Sequence, residues 1–286
     1  MSKFKHCHFS ILYNELPFLK QKMPFLYENF NQLIFFDLNV GTHNPHFSTD
    51  GSHEFIAEYP DPEDKITLIE KDNLEGIERW TGAGSVEKQK MFGLGSQYVN
   101  DDIDVFWCTD LDEFFHKSFI KKVETIFSEF PEINSIDMRH YVFWKNMNLI
   151  LANDGDDGFD MFSRVCRHKK GNLYGHCSIH HQFPRNHVIS DDRYYHFAWL
   201  GDNRVESKLK HYSTPPTGSP RNKQMYDDYL KEIWYNFSSD YNLDSEEVFG
   251  APRMHPNQAM RKGIKKFVGE LPSYINIQQL MRELYK

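Results

Sequence analysis

Cysteine is scarce here, and nowhere spaced to work as a pair. Four occur, Cys7, Cys108, Cys166 and Cys177, with no C-x-x-C among them. A disulfide scaffold is disfavoured, and reduced thiols of a cytoplasmic protein are expected. No stretch is apolar for the roughly 18 residues that a membrane-crossing helix requires, so no span is expected. The N-terminus, Met1-Ser-Lys-Phe-Lys-His-Cys-His8, lacks the apolar centre of a secretory signal. Long basic runs are also missing and the formal net charge is −8. That disfavours a general nucleic-acid binder, while leaving room for a local basic face. No segment repeats another. What is present is apolar mass: 40% hydrophobic and 15% aromatic residues suffice for a core and argue against disorder. The length of 286 residues suits one large α/β domain, or a domain with an appendage.

Strand and helix signals alternate through the first half. His8 to Tyr13 reads as a strand ending at Asn14-Glu15, and Pro17 opens a helix to about Asn29. Leu33 to Asp37 is a second buried strand with an acid at its exit. Ser48-Thr-Asp-Gly-Ser52 leads a short helix, His53 to Tyr59, which Pro60 and Pro62 stop. Ile66 to Glu70 is a third strand. After the turn Thr81-Gly-Ala-Gly-Ser85 a helix is expected from Val86 to Val99, and the fourth strand is Val105 to Thr109. Ser118 to Phe130 has helical apolar spacing, and Ile133 to Trp144 reads as a strand pair or one long bent strand. Such alternation predicts an α/β fold, a mostly parallel central sheet with helices on both faces. Beyond Trp144 the pattern is less regular. Asn153 to Asp160 reads as a polar loop, Tyr194 to Trp199 as a strand and Arg204 to Tyr212 as a short helix. Terminal helices are expected over Gln224 to Phe237 and Gln278 to Tyr285. The expected organisation is 1–130 as one α/β half and 131–213 as the second half of the same domain. A helical C-terminal extension, 214–286, follows.

The stretch around which the rest is arranged is Asp101 to Phe115. The apolar strand Val105 to Thr109 runs straight into Asp110-Leu111-Asp112-Glu113. In an extended chain, residues two apart point the same way. Asp110 and Asp112 can then face one ligand while Leu111 turns into the core. Two carboxylates at a buried strand exit need neutralising. An oxygen-only pair suits Mg²⁺ or Mn²⁺ better than zinc, and such a metal can hold a diphosphate. Asp102-Ile-Asp104 and Asp154-Gly-Asp156 are further Asp-x-Asp triplets, read as solvated loops. A strand-exit carboxylate can also serve as a helix cap.

The ordered set of signals resembles the nucleotide-sugar half of A-type glycosyltransferases, above all their large family 2. The set comprises Asn14-Glu15 after strand one, Asp37 after strand two, Ser48-Thr49-Asp50-Gly51-Ser52, the Gly-rich turn and Asp110-x-Asp112. In the second half Ser163-Arg-Val-Cys-Arg167, Tyr174-Gly175 and Ile179-His-His181 look like the family's Arg-x-x-Arg, Tyr-x-Gly, Ile-His-Glu run, with His181 where Glu is usual. Tyr195-His-Phe-Ala-Trp-Leu200, with Lys208 and Tyr212, resembles its His-x-x-Trp segment. The likeness covers residues 6 to 213. It implies a Rossmann-like A-type fold, a nucleotide-diphosphate sugar as donor (UDP-linked), and Mn²⁺ or Mg²⁺ on Asp110 and Asp112, with His196 completing the shell. A metal there would act on the leaving diphosphate, with Lys88 or Lys90 assisting.

Asn14, Glu15, Asp37 and Glu70 sit at predicted strand exits, where open α/β sheets bind ligands. They are candidates for base and ribose contacts, with turn capping as the alternative. An inverting transferase also needs a base for the acceptor, and Asp160, Asp137 and His181 are the candidates, with His180 beside the last. Trp199 is a candidate for sugar stacking. Cys166, His168, His176, Cys177 and His180 match no standard zinc spacing. Phosphate or acceptor binding by Arg164, Arg167, Lys169 and Lys170 is the preferred reading of that basic segment. The acceptor expected is a glycan, peptide or small molecule. The alternatives are a viral-type glycosyltransferase acting on modified bases in DNA, a metal-dependent phosphotransferase or nuclease, and a non-catalytic sugar-binding protein.

Overall fold

The computed structural model describes residues 4–38, 47–71, 93–152, 161–169, 173–174, 179–180, 186–213, 224, 227–235, 249–250 and 263–286. The chain falls into two compact units that interleave in sequence. The first comprises Met1–Met138, Met161–Asp192 and Pro272–Ile275, and the second Arg139–Asp160, Arg193–Leu271 and Asn276–Lys286. The protein is mixed α/β.

In the first unit β1 (His6–Leu12), β2 (Gln32–Leu38), β3 (Ile66–Lys71) and β4 (Val105–Cys108) run parallel in the order β3-β2-β1-β4. Helix α1 (Leu16–Asn29) follows β1, and α2 (Ser52–Ala57) lies between β2 and β3 in sequence. The two-residue β5 (Glu113–Phe114) and α3 (Ser118–Glu129) follow β4. Strand β6 (Ser135–Trp144) begins in the first unit and ends in the second, β7 (Asn146–Ala152) belongs to the second, and β8 (Met161–Arg167) returns to pair antiparallel with β4. The parallel pairings β3-β2-β1-β4 thus give way to an antiparallel one at β4-β8. A short antiparallel pair, β9 (Leu173–Tyr174) and β10 (Ile179–His180), completes this part.

Strands β1 and β4 are buried on both faces. Phe9, Ile34, Phe36, Ile69, Phe106 and three cysteines, Cys7, Cys108 and Cys166, form one buried cluster. Gly95 is needed there, because a Cβ on it would come within 2.1 Å of the Phe9 ring. A second aromatic group joins Phe30, Trp107, Phe115 and Phe119. Tyr274 stacks on Phe25 at 4.1 Å, and its hydroxyl donates to the Phe115 carbonyl at 2.9 Å. That places Pro272–Ile275 in the first unit although it lies near the C-terminus.

In the second unit β12 (Phe249–Gly250), β13 (Gly263–Lys266), β7 and the latter part of β6 are antiparallel neighbours in that order. Lys145, at φ 66°, turns β6 into β7. Strand β11 (His187–Trp199) starts in the first unit and ends in the second, and α4 (Asp202–Ser213) follows it. Trp144, Trp199, Tyr229 and Trp234 centre a buried cluster, in which Trp144 Nε1 donates to the Tyr229 hydroxyl at 2.8 Å. The aromatic helix expected over 224–237 contains a π-helical turn, Tyr229–Trp234. The C-terminal stretch contributes β12 and β13 as well as α5 (Ile277–Leu284), so it is not purely helical. Of the helix expected over 86–99, only 93–99 lies among the described residues, and Ser96–Tyr98 there is a 3₁₀ turn. Among the described residues no helix is long and apolar enough to cross a membrane.

Candidate functional site

The four parallel strands end on one edge of the first unit's sheet. Their order changes direction between β1 and β4, since β2 and β3 lie on one side of β1 and β4 on the other. Open α/β sheets take ligands at such a switch point. The chain leaves β4 there through Thr109 and enters a tight turn, Asp110 to Glu113, closed by Glu113 N donating to Asp110 O at 3.1 Å. The extended Asp-x-Asp geometry expected from sequence is therefore corrected to a turn. Leu111 is buried in the core as expected, Asp112 is buried and Asp110 is partly exposed.

Charges converge on this turn. Glu113 Oε2 accepts from the Asp110 amide at 3.1 Å, and Oε1 accepts from Arg164 Nη2 on β8. Arg164 Nη2 also lies 3.6 Å from Asp110 Oδ2. From α1, Lys22 Nζ donates to Asp110 O at 2.8 Å and to Thr109 Oγ1 at 2.9 Å. The Thr109 hydroxyl lies 2.7 Å from His8 Nε2, and Ser10 Oγ donates to Thr109 O at 2.6 Å. The Thr109 hydroxyl thus meets both Lys22 on α1 and His8 on β1. Lys22 and Arg164 are both fully buried. Burial pulls the Lys22 ammonium down to about 7, while Glu113, Asp112 and Asp110 act to raise it and Arg164 to lower it.

Carboxylate oxygens are the donors that a hard divalent cation takes. Asp110, Asp112 and Glu113 offer carboxylate oxygens against two cationic side chains, so at least one negative charge is left over. Asp110 and Asp112 would hold the ion, with Lys22 and Arg164 fixing the turn that carries them.

A second cluster lies at the exits of β2 and β3. Asp37 is fully buried. Its Oδ1 accepts from Ser48 N at 3.0 Å and Ser48 Oγ at 3.1 Å, and its Oδ2 faces His53 Nδ1 at 3.0 Å. Burial raises the Asp37 carboxyl, opposed by the bonds from Ser48 and His53. The other ring nitrogen of His53 faces Glu70 Oε1 at 3.0 Å. Asn14 and Glu15 meet the Ser48–Ser52 loop from the other side. Asn14 N donates to Ser48 Oγ at 3.2 Å, Asn14 Oδ1 accepts from Thr49 N at 2.8 Å, and Glu15 N donates to Ser52 Oγ at 3.1 Å. Asp50 ties the starts of two helices, accepting from Leu16 N at 2.9 Å and Ser52 N at 3.0 Å. Thus Asn14, Asp37 and Asp50 build the loop at this edge, and Glu70 is the carboxylate turned to solvent, its side chain 56% exposed.

Asp137 on β6 is buried and accepts from Ser163 Oγ, with His187 Nε2 at 3.8 Å. His196 on β11 belongs to the second unit, where its ring lies 5.6 Å from that of His140. His181, Asp160 and Lys88 lie outside the described residues. Cys166 packs in the apolar cluster, which removes it from any zinc set. In the basic segment Arg164 and Arg167 are turned inward, Lys169 is exposed, and Lys170 lies outside the described residues. Arg164 is in the buried ion pair, and Arg167 donates to the carbonyls of Ile133, at 2.7 Å, and Phe127, over whose ring it lies.

No protein-family model matches the chain, and no curated protein matches it. Among solved structures it is similar to a 4-diphosphocytidyl-2C-methyl-D-erythritol synthase from Anaerococcus prevotii. The identity is 9%, over 85% of this chain and 79% of that chain, with a TM-score of 0.30. At that TM-score the assignment of fold rests on the sheet topology itself.

Two residues of the charged cluster escape a sequence reading, Lys22 altogether and Arg164 in its role. Lys22 did leave a signal. It lies three and four residues from Leu19, Phe18, Phe25 and Leu26, all buried, so it stands on the apolar stripe of α1. A lysine there must be paired or neutralised. Arg164 gave no such sign, because its partner lies 51 residues away.

Proposed function

We propose that the protein is a metal-dependent glycosyltransferase of A-type fold, moving a sugar from a nucleotide-diphosphate sugar, UDP-linked, to a hydroxyl acceptor such as a glycan. The observation that carries this reading is the coincidence of two features. The switch point between β1 and β4 is where the Asp110–Glu113 turn presents its carboxylates, braced by Lys22 and Arg164. The edge continues to Asp37 and Glu70, which are register partners at the exits of β2 and β3. A diphosphate at the first place and a nucleoside at the second would use both.

Mn²⁺ or Mg²⁺, when bound, supplies Lewis-acid stabilisation of the charge that grows on the leaving diphosphate. The chain's own contribution is positional. Lys22 and Glu113 hold the main chain of Asp110 from two sides, so the turn is formed before the donor arrives. Phosphotransferase or nuclease chemistry would enlist Glu113 as a further ligand. Its engagement with Arg164 and the Asp110 amide favours sugar transfer. The inward Arg164 and Arg167 likewise leave the DNA-acceptor reading with less support.

The experiment is a thermal-shift panel of nucleotide sugars with and without Mn²⁺. A donor at about 100 times its dissociation constant stabilises by about 2.7 kcal/mol. Stabilisation that needs both donor and metal is the expected outcome; no shift with any nucleotide sugar sinks the proposal.

A further inference from the structure

Asp37 is buried too completely to be the group that meets a ligand. It is enclosed on the β2 exit, and Ser48 and His53 fill its hydrogen-bonding edges. His53, from the short helix after Gly51, stands between it and Glu70, with each ring nitrogen 3.0 Å from a carboxylate oxygen. With one ring nitrogen against each carboxylate, the imidazole is a strut between a fixed acid and a solvent-facing one. Glu70 is the exposed end of that strut. A glutamate at a strand exit has several rotatable bonds, and ordering its carboxylate costs entropy unless something already holds it.

We infer that His53 is the positioning residue of the nucleoside end of the site, anchored on Asp37 and presenting the Glu70 carboxylate to the hydroxyls of a ribose. This rests on the reading that a nucleotide binds along this edge. An acidic group at a strand exit is suited to accept from a ribose 2′-hydroxyl, and the 2′-hydroxyl separates ribonucleotides from deoxyribonucleotides. The chemical class taken is therefore a ribonucleoside diphosphate, with discrimination set by whether Glu70 is held. Without His53 the carboxylate moves freely and the preference for ribose disappears, while the diphosphate end is untouched.

The test uses calorimetry on the full chain with Mn²⁺. The tightest of the four common ribonucleoside diphosphates is compared with its 2′-deoxy counterpart, for wild type, His53→Asn, His53→Ala, Glu70→Gln and the double variant His53→Asn/Glu70→Gln. Asn keeps a donor at the position of Nδ1, so the anchor on Asp37 survives and only the reach to Glu70 is lost. Wild type is expected to prefer the ribonucleotide on the order of tenfold or more, the scale of a hydrogen bond to a charged group. His53→Asn and Glu70→Gln should each remove most of that preference, and the double variant should lose no more than either single one. A His53→Asn protein that folds and still discriminates like wild type overturns the inference and leaves the nucleotide reading intact, as does a wild type that does not discriminate. A wild type that binds no nucleoside diphosphate overturns both. If His53→Ala fails to fold, His53→Asn carries the decision.

Discussion

Lys22 Nζ lies 2.8 Å from the carbonyl oxygen of Asp110, so a buried cation from α1 grips the main chain of the turn that bears the acidic pair. Its charge is opposed by burial and supported by Glu113, Asp112 and Asp110 together. The turn is thus pre-formed by groups that need not themselves touch a ligand, which is how a site avoids reorganising during reaction.

Asp112→Asn set against Asp102→Asn separates a local role from general electrostatics. Both remove one negative charge from the same acidic stretch, but Asp112 is buried while Asp102 is largely exposed and paired with Lys5 at 2.5 Å. Asn keeps the size and loses the charge that holds a hard cation. Asp112→Asn should fold and lose on the order of a hundredfold or more in rate; Asp102→Asn should remain near normal. Equal losses would show the pair to be structural.

Arg164→Met should destabilise the fold by about 3–5 kcal/mol, because it leaves Glu113 buried without its ion-pair partner. Adding Glu113→Leu should recover a large part of that loss, since an apolar pair of similar volume replaces a desolvated ion pair. Urea midpoints report both steps. A double variant as weak as, or weaker than, the single one refutes the pairing as the cause.

Stability should fall as pH drops below the ordinary histidine value. Burial lowers both His6 and His8. His6 Nδ1 accepts from Trp107 Nε1 at 3.0 Å, a bond that requires an unprotonated nitrogen. With folded values depressed, the unfolded chain takes up protons that the native state refuses. The contribution is intact above about pH 6.5 and lost below it, by up to about 1.4 kcal/mol per pH unit for each histidine. Comparing urea unfolding at pH 7.5 and 5.5, His8→Gln should show a smaller drop than wild type. An identical drop would mean that His8 is not one of the groups responsible.

Chelation should abolish donor-dependent stabilisation and any slow hydrolysis of the donor. The prediction follows from the surplus of negative charge at the Asp110–Glu113 turn. Undiminished nucleotide-sugar binding and turnover in excess EDTA would remove the metal from the proposal. In the same assay activity should depend little on salt and ignore duplex DNA; a steep salt dependence with competition by DNA would favour a DNA acceptor.

The order of strands and helices in the first half was legible because hydrophobic runs, Pro17, Pro60 and the Ser48–Ser52 segment mark it locally. The strand boundaries at β1, β2 and β3 fall within a residue or two of those signals. Asp110 and Asp112 were legible as a strand-exit pair, since an apolar run ending in acids is a local pattern. That the pair sits on a turn rather than an extended strand was not, because the turn is closed by Glu113 and braced by Lys22 and Arg164, which are 88 and 51 residues from their partners in it. The unit boundaries inside β6 and β11 were hidden for the same reason, as each is one continuous strand in sequence. Asp37 shows the division most sharply. Its place at the end of β2 follows from the run Leu33 to Asp37, whereas its role as a buried anchor follows from Ser48 and His53, brought to it by the fold. Local pattern determines where a charge leaves a strand; only tertiary packing decides whether that charge is left to solvent or enclosed, because enclosure depends on which distant donors arrive to satisfy it.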